Sequence, residues 1–288
     1  MRLSRRLFSS APPIAAWEVY GPSRWVNEKL IAALTPAELS AVRLLSVGAG
    51  TGATDAHLAG QLRKMGGTVA AYDLLEQVEV PSTERLDENF ISACGVPATR
   101  HVASLSDFAR DAPARGEGRD AWTALLMAGS VEREFSEGAD LGELTSILTT
   151  CFDLAPRVFL SGPLDNPLYA ALFTDKDSGD ADGGLFLRTG MLEQLENELG
   201  VEAEFACVPQ LMDVTEIKDE EQLLTSLHFD GEVTEDHTRA FLGTLVTKWR
   251  NVKPHPEDGR LYLDIVWSAM AMLTKGKILK NGTKVAVE

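Results

Sequence analysis

The chain has 288 residues, 44% of them apolar and 24% charged, and its 27 basic against 43 acidic side chains leave a formal net charge of −16. That length suffices for one large domain or two small ones, and the composition is that of an ordinary globular protein. The acidic balance argues against nucleic acid and acidic membranes as partners, and no apolar run has the length of a membrane span, so a small or cationic substrate is easiest to accommodate.

The N-terminus departs from that balance. "MRLSRRLFSSAPP" holds Arg2, Arg5 and Arg6, and no acid precedes Glu18. Arg-rich, Ser-containing and acid-poor is the composition of an organellar transit segment, and a short basic tail shares it. Residues 1–14 are therefore set apart from a single domain over 15–280. The expected location is cytoplasmic, or mitochondrial or plastid if the segment is a transit peptide. "APPIAAWEVYGPSRWVNEKLIAALTPAEL" reads as one or two helices broken near Gly21-Pro22. Leu44–Val47 is a buried strand, followed by Gly48, Gly50 and Gly52 and then a helix from Ala53 to Met65 that Gly66-Gly67 ends. "TVAAYDLLEQVEV" is the next strand region, "STERLDENFISACG" a helix and "ATRHVASL" a short strand.

Beyond a polar loop, "AWTALLMAGS" reads as a strand, "DLGELTSILTTCFDLA" as a helix, "RVFLSGPL" as a strand and "MLEQLENELG" as a helix. The acidic stretch 174–184 lacks the spacing of a calcium loop and is expected to be a solvated loop. "EAEFACVPQLMDV" and "RLYLDIVWSAMAML" are two long final strands, with an insertion around 214–258 between them. Alternation through the first two-thirds predicts an α/β fold, a mostly parallel sheet with helices on both faces and an antiparallel ending. Cys94, Cys151 and Cys207 form no CxxC pair, and the five histidines show no ligand spacing. No metal is expected, and the cysteines read as small core side chains.

Glycines after the first strand let the backbone turn sharply and approach a ligand closely. In an open parallel sheet that crevice is where nucleotide-like cofactors sit. The spacing GxGxG is not a P-loop, since no Gly-Lys-Ser/Thr follows. "LLSVGAGTGATDAHLA" resembles motif I of class I S-adenosylmethionine-dependent methyltransferases. The order of elements over roughly residues 40 to 273 is similar to that family's seven-strand, Rossmann-like sheet. "VNEKL", "PSTER", "SGPL…LY", "MLEQLENELG", "LMDVTE" and "DGRLYLDIVWSAMAM" resemble, in order and spacing, the histamine N-methyltransferase-like family.

That resemblance implies S-adenosyl-L-methionine as cofactor, lying against Gly48, Ala49, Gly50 and Gly52. It implies an acid at the end of the second strand for the ribose hydroxyls. Glu79 is the choice, and Asp73 the rival if the strand ends earlier. Arg85 and Ser104 fall where the family contacts the cofactor, and Met127, Ala128 and Gly129 where it lines the methionine end. The substrate's amine would meet Glu18 in the N-terminal helical lid; the family's final-strand asparagine falls at Asp264 or Ile265, and Asp264 would be a second carboxylate if it faces the pocket. Tyr20, Trp25, Trp122, Tyr169 and Trp267 are candidate aromatic walls for a cation or flat ring. The implied reaction is in-line transfer of a sulfonium methyl to a small-molecule nitrogen, with Glu18 holding or deprotonating the amine. Proximity and removal of water would do most of the catalysis. A methyl transfer to oxygen or sulfur, a non-catalytic homologue that binds or regulates, and an oxidoreductase using the same glycines stay open. A monomer or homodimer is expected.

Overall fold

Apolar runs alternating with amphipathic stretches become seven strands and the helices between them. A computed structural model describes residues 20–50, 52–78, 86–128, 141–163, 189–226, 236–256 and 259–276. In chain order these form α1 (Tyr20–Ala33), α2 (Pro36–Leu39), β1 (Val42–Val47), α3 (Ala53–Lys64), β2 (Val69–Glu76), α4 (Leu86–Cys94), β3 (Ala98–Val102), α5 (Leu105–Asp111), a 3-10 turn (Pro113–Arg115), β4 (Ala124–Ala128), α6 (Leu141–Leu154), β5 (Arg157–Pro163), α7 (Thr189–Leu199), β6 (Val201–Asp213), α8 (Glu220–Ser226), α9 (Asp236–Arg250) and β7 (Tyr262–Lys275). Among the described residues no helix is long and apolar enough to cross a membrane.

The strand order is β3-β2-β1-β4-β5-β7-β6. Strands β1 to β5 pair in parallel. The end of β7 returns to the start of its neighbours: Lys275 N–H donates to Pro156 O just before β5, and Gly276 lies against Gly200 O just before β6. So β7 is the antiparallel strand, as its place at the end of the chain predicts.

Residues in register on neighbouring strands share a face of the sheet. Ser46, Leu74 and Arg100 form one such row across β1, β2 and β3. The face they share is covered by α1, α3 and α4. Tyr72 packs edge-on against Phe90 of α4, its hydroxyl donates to Asp55 of α3, and Trp25 of α1 meets Phe159 of β5 edge-on. Buried Asn27 of α1 donates its amide to Leu58 O of α3. Asp73 and His101 occupy the opposite face, with the Phe108 ring of α5 edge-on to His101 and tilted against Trp122. Helices therefore lie on both faces.

Two sequence readings shift. The described α1 runs unbroken through Gly21-Pro22. Pro22 falls in its first turn, where a missing N–H removes no intrahelical bond. β2 stops at Glu76, short of the end of its apolar run. Its register with β1 ends at Leu75 and with β3 at Glu76, so no neighbour remains to carry the ladder further.

The chain divides into two compact units. One comprises Trp25–Gly162, Leu185–Ala206 and Ala269–Glu288, and holds β1 to β5 with the helices just described. The other comprises Met1–Arg24, Pro163–Gly184 and Cys207–Ser268. Within it Met212, Val214, Leu223, Leu245, Val246 and Leu263 form a core with Ile217 and Trp249 against it, so the stretch expected as an insertion has an apolar centre of its own.

Candidate functional site

The strand order reverses between β1 and β4, since β2 and β3 lie on one side of β1 and β4 and β5 on the other. Ligands of open α/β sheets bind outside the carboxyl ends of the strands at such a point. The glycine turn leaves the end of β1 there.

Gly48, Gly50 and Gly52 all have left-handed φ, +69°, +57° and +76°. Side chains rarely adopt that region, so glycine at these places follows from the turn itself. Gly48 N–H donates to Leu75 O of β2 (2.8 Å) and Gly52 N–H to Ala49 O (2.9 Å). Gly52 is the N-cap of α3.

Glu76, the last residue of β2, is buried and accepts the Gly50 N–H on Oε1. Its own carbonyl accepts from Ala103 N–H (2.9 Å) just past β3. A Cβ built on Gly50 would stand 4.0 Å from that carboxylate oxygen, an ordinary van der Waals contact, so it is the φ of +57° that calls for glycine here. The sequence reading missed Glu76. Its place as the last residue of β2 is set by the register with β1, which ends at Leu75, and with β3, which ends at Glu76, and no local pattern carries that signal. Val78 and Val102 beside it are exposed, unlike most of the apolar side chains of the sheet.

Beneath the turn lies a polar cluster. Asp55, in the first turn of α3, is buried and accepts from the Tyr72 hydroxyl (2.9 Å) and from Ser46. Burial pushes its carboxyl above the usual range, against those hydrogen bonds and the nearby charge of Arg100. Burial, then the Asp55 charge, pushes the Tyr72 hydroxyl well above its ordinary value. Arg100 of β3 donates from Nη1 to Gly50 O (3.2 Å).

The remaining candidates divide. Asp73 lies three residues inside β2 and is not the strand's terminal acid. One oxygen accepts from Trp122 Nε1 (2.8 Å) and the other faces His101 Nε2 (2.8 Å). Trp122 is fully buried by that bond and by Phe108, which makes it core and not a pocket wall. Met127 is fully buried on the same face, its sulfur 3.7 Å from Cys151 of α6. Ser104 is the N-cap of α5, accepting from Asp107 N–H (3.1 Å). Trp25 packs on Phe159, with Lys29 over its ring. Asp264 on β7 is half-buried, with Lys248 of α9 at 3.8 Å. The backbones of Tyr20, Ala128 and Trp267 lie on α1, β4 and β7. Glu18, Glu79, Arg85, Gly129, Tyr169 and the stretch 174–184 lie outside the described residues.

No protein-family model and no curated protein matches the chain. Among solved structures it is similar to the CurJ carbon methyltransferase, at 13% identity over 88% of this chain and 54% of that one, with a TM-score of 0.47. The chain thus spans little more than half of that structure's length. It is similar to a SAM-dependent methyltransferase of Leishmania major, at 15% identity over 88% and 72% of the two chains, with a TM-score of 0.42. It is also similar to magnesium protoporphyrin IX methyltransferase from Synechocystis PCC 6803 with bound SAM, at 10% identity over 88% and 77%, with a TM-score of 0.42. All three are methyltransferases.

Proposed function

We propose that the protein is an S-adenosyl-L-methionine-dependent methyltransferase acting on a small molecule, with the nitrogen of a small, cationic amine as acceptor. The observation that carries the cofactor is the pairing of the left-handed glycine turn with the terminal acid of β2 where the strand order reverses. A carboxylate accepts from both hydroxyls of a ribose at once, and Glu76 has a second oxygen for that work. Exposed Val78 and Val102 supply apolar cover for a flat base beside the sugar.

The bound cofactor would supply a methyl group on a positively charged sulfur. The chain's part is to bind it, to orient the acceptor and to exclude water. The resemblance in "VNEKL" and "DGRLYLDIVWSAMAM" supports an amine acceptor. Glu18 is the residue proposed to hold or deprotonate it, and Asp264 is proposed beside the substrate. The non-catalytic alternative drew on an acid displaced from the end of the second strand. Glu76 at that end takes this support away.

The test is calorimetry with S-adenosylhomocysteine, followed by mass spectrometry with S-adenosylmethionine and a panel of amines, amino acids and thiols. Binding and the gain of one methyl on an amine are expected. In Glu76→Gln, loss of a charged hydrogen-bond acceptor should weaken binding by about 10- to 100-fold. A folded wild-type chain that binds no S-adenosylhomocysteine overturns the cofactor. Methylation of a thiol or hydroxyl alone overturns the acceptor.

A further inference from the structure

Arg100 sits on β3, and the turn it bonds follows β1, with β2 in between. Two strand spacings are about 9–10 Å. Only a long side chain crosses that gap. In the row Ser46–Leu74–Arg100 the arginine extends over β2 toward the turn, above the face that α3 covers. Its Nη1 reaches Gly50 O at 3.2 Å. Glu76, from the end of β2, holds the N–H of the same glycine. Two charged side chains from two strands therefore grip opposite backbone groups of one residue, whose φ is +57°.

We propose that Arg100 is a positioning residue for the cofactor turn, fixing the Gly50 carbonyl so that Glu76 keeps its bond to the Gly50 amide and presents its second oxygen to a ribose. This deepens the reading above and rests on it. The Gly50 N–H and C=O belong to adjacent peptide planes hinged at its Cα, and glycine's φ and ψ have little steric preference, so the conformation there is decided by what holds both planes. With the carbonyl released, the amide of Gly50 can turn away from Glu76, and the carboxylate loses the contact that aims it. The guanidinium also stands near Asp55, which Ser46 and Tyr72 hold from the same face. One cation thus links the turn to the polar cluster beneath α3. Lysine carries the charge but not the planar fork, so it satisfies the carbonyl less well.

The experiment measures S-adenosylhomocysteine binding by calorimetry on the full chain as wild type, Arg100→Lys and Arg100→Met, with thermal unfolding of each. Binding is read well below the unfolding midpoint, where a general loss of stability leaves the dissociation constant of the folded chain unchanged. Arg100→Met should raise that constant by about tenfold or more, and Arg100→Lys by less. If the methionine variant does not fold, the lysine variant decides alone, with an expected rise of about threefold or more. Folded variants that bind within about twofold of wild type, when wild type binds, overturn the role of Arg100 and leave the cofactor reading standing. A wild type that binds nothing overturns the cofactor reading first, and this inference with it.

Discussion

Asp55 is an acid that folding takes out of water. Burial raises its pKa in the folded chain above the unfolded value of about 3.9. Across the window from that value up to the folded pKa, the folded chain keeps a proton that the unfolded chain has lost. The stability linked to Asp55 is full below about pH 3.9 and declines as pH rises through the folded pKa. Asparagine has no proton to lose. The stability of Asp55→Asn relative to wild type should therefore climb as pH is raised above about 4, then level off above the folded pKa. Thermal unfolding across a pH series checks this, and a constant offset between the two proteins contradicts it. Ser104 separates two roles in the same way. It caps α5. Ser104→Ala should cost about 1 kcal/mol of stability and leave S-adenosylhomocysteine affinity nearly intact. The opposite pattern, in a calorimetric titration, makes it a cofactor ligand.

Among the elements, α2 is a single turn that exists by virtue of its caps. Thr35 accepts from Glu38 N–H (3.3 Å), Glu38 accepts from Thr35 N–H (2.9 Å), and Pro36 opens the turn. The backbone bond from Thr35, with the Arg157 guanidinium at 3.2 Å, holds the Glu38 carboxyl below its usual range. Arg157 also donates to Ala33 O, the last residue of α1 (3.1 Å), so this corner sets the entry into β1. Thr35→Ala should lower stability by about 1 kcal/mol, measured by denaturant unfolding. An unchanged midpoint means that packing alone holds the turn. Most elements were legible because each rests on a local pattern. The helix after the glycines and the two long final strands lie where their periodicity put them. The end of β2 was not legible. "LLEQVEV" stays strand-like past Glu76, and only the ends of β1 and β3 decide where its ladder stops.

Over the whole molecule, a net charge of −16 acts at long range. Such a field draws cations toward the protein and weakens as salt shortens the Debye length from about 30 Å at 0.01 M to about 8 Å at 0.15 M. For the proposed cationic amine, kcat/KM should fall across that range. A neutral acceptor of similar size should show little change. Equal salt dependence for both acceptors in steady-state assays removes electrostatic steering from the account.

Composition, the GxGxG turn and the alternation of strand and helix patterns were sufficient for an α/β sheet with helices on both faces and a glycine turn at the end of β1. Those features depend on residues close together in sequence. The tertiary structure decided which acid faces the turn, Glu76 and not Asp73, and buried Trp122 and Met127 among core partners. It also brought Arg100 across β2 to Gly50. Each of these depends on a neighbouring strand or helix far away in the chain, whose position no local pattern encodes.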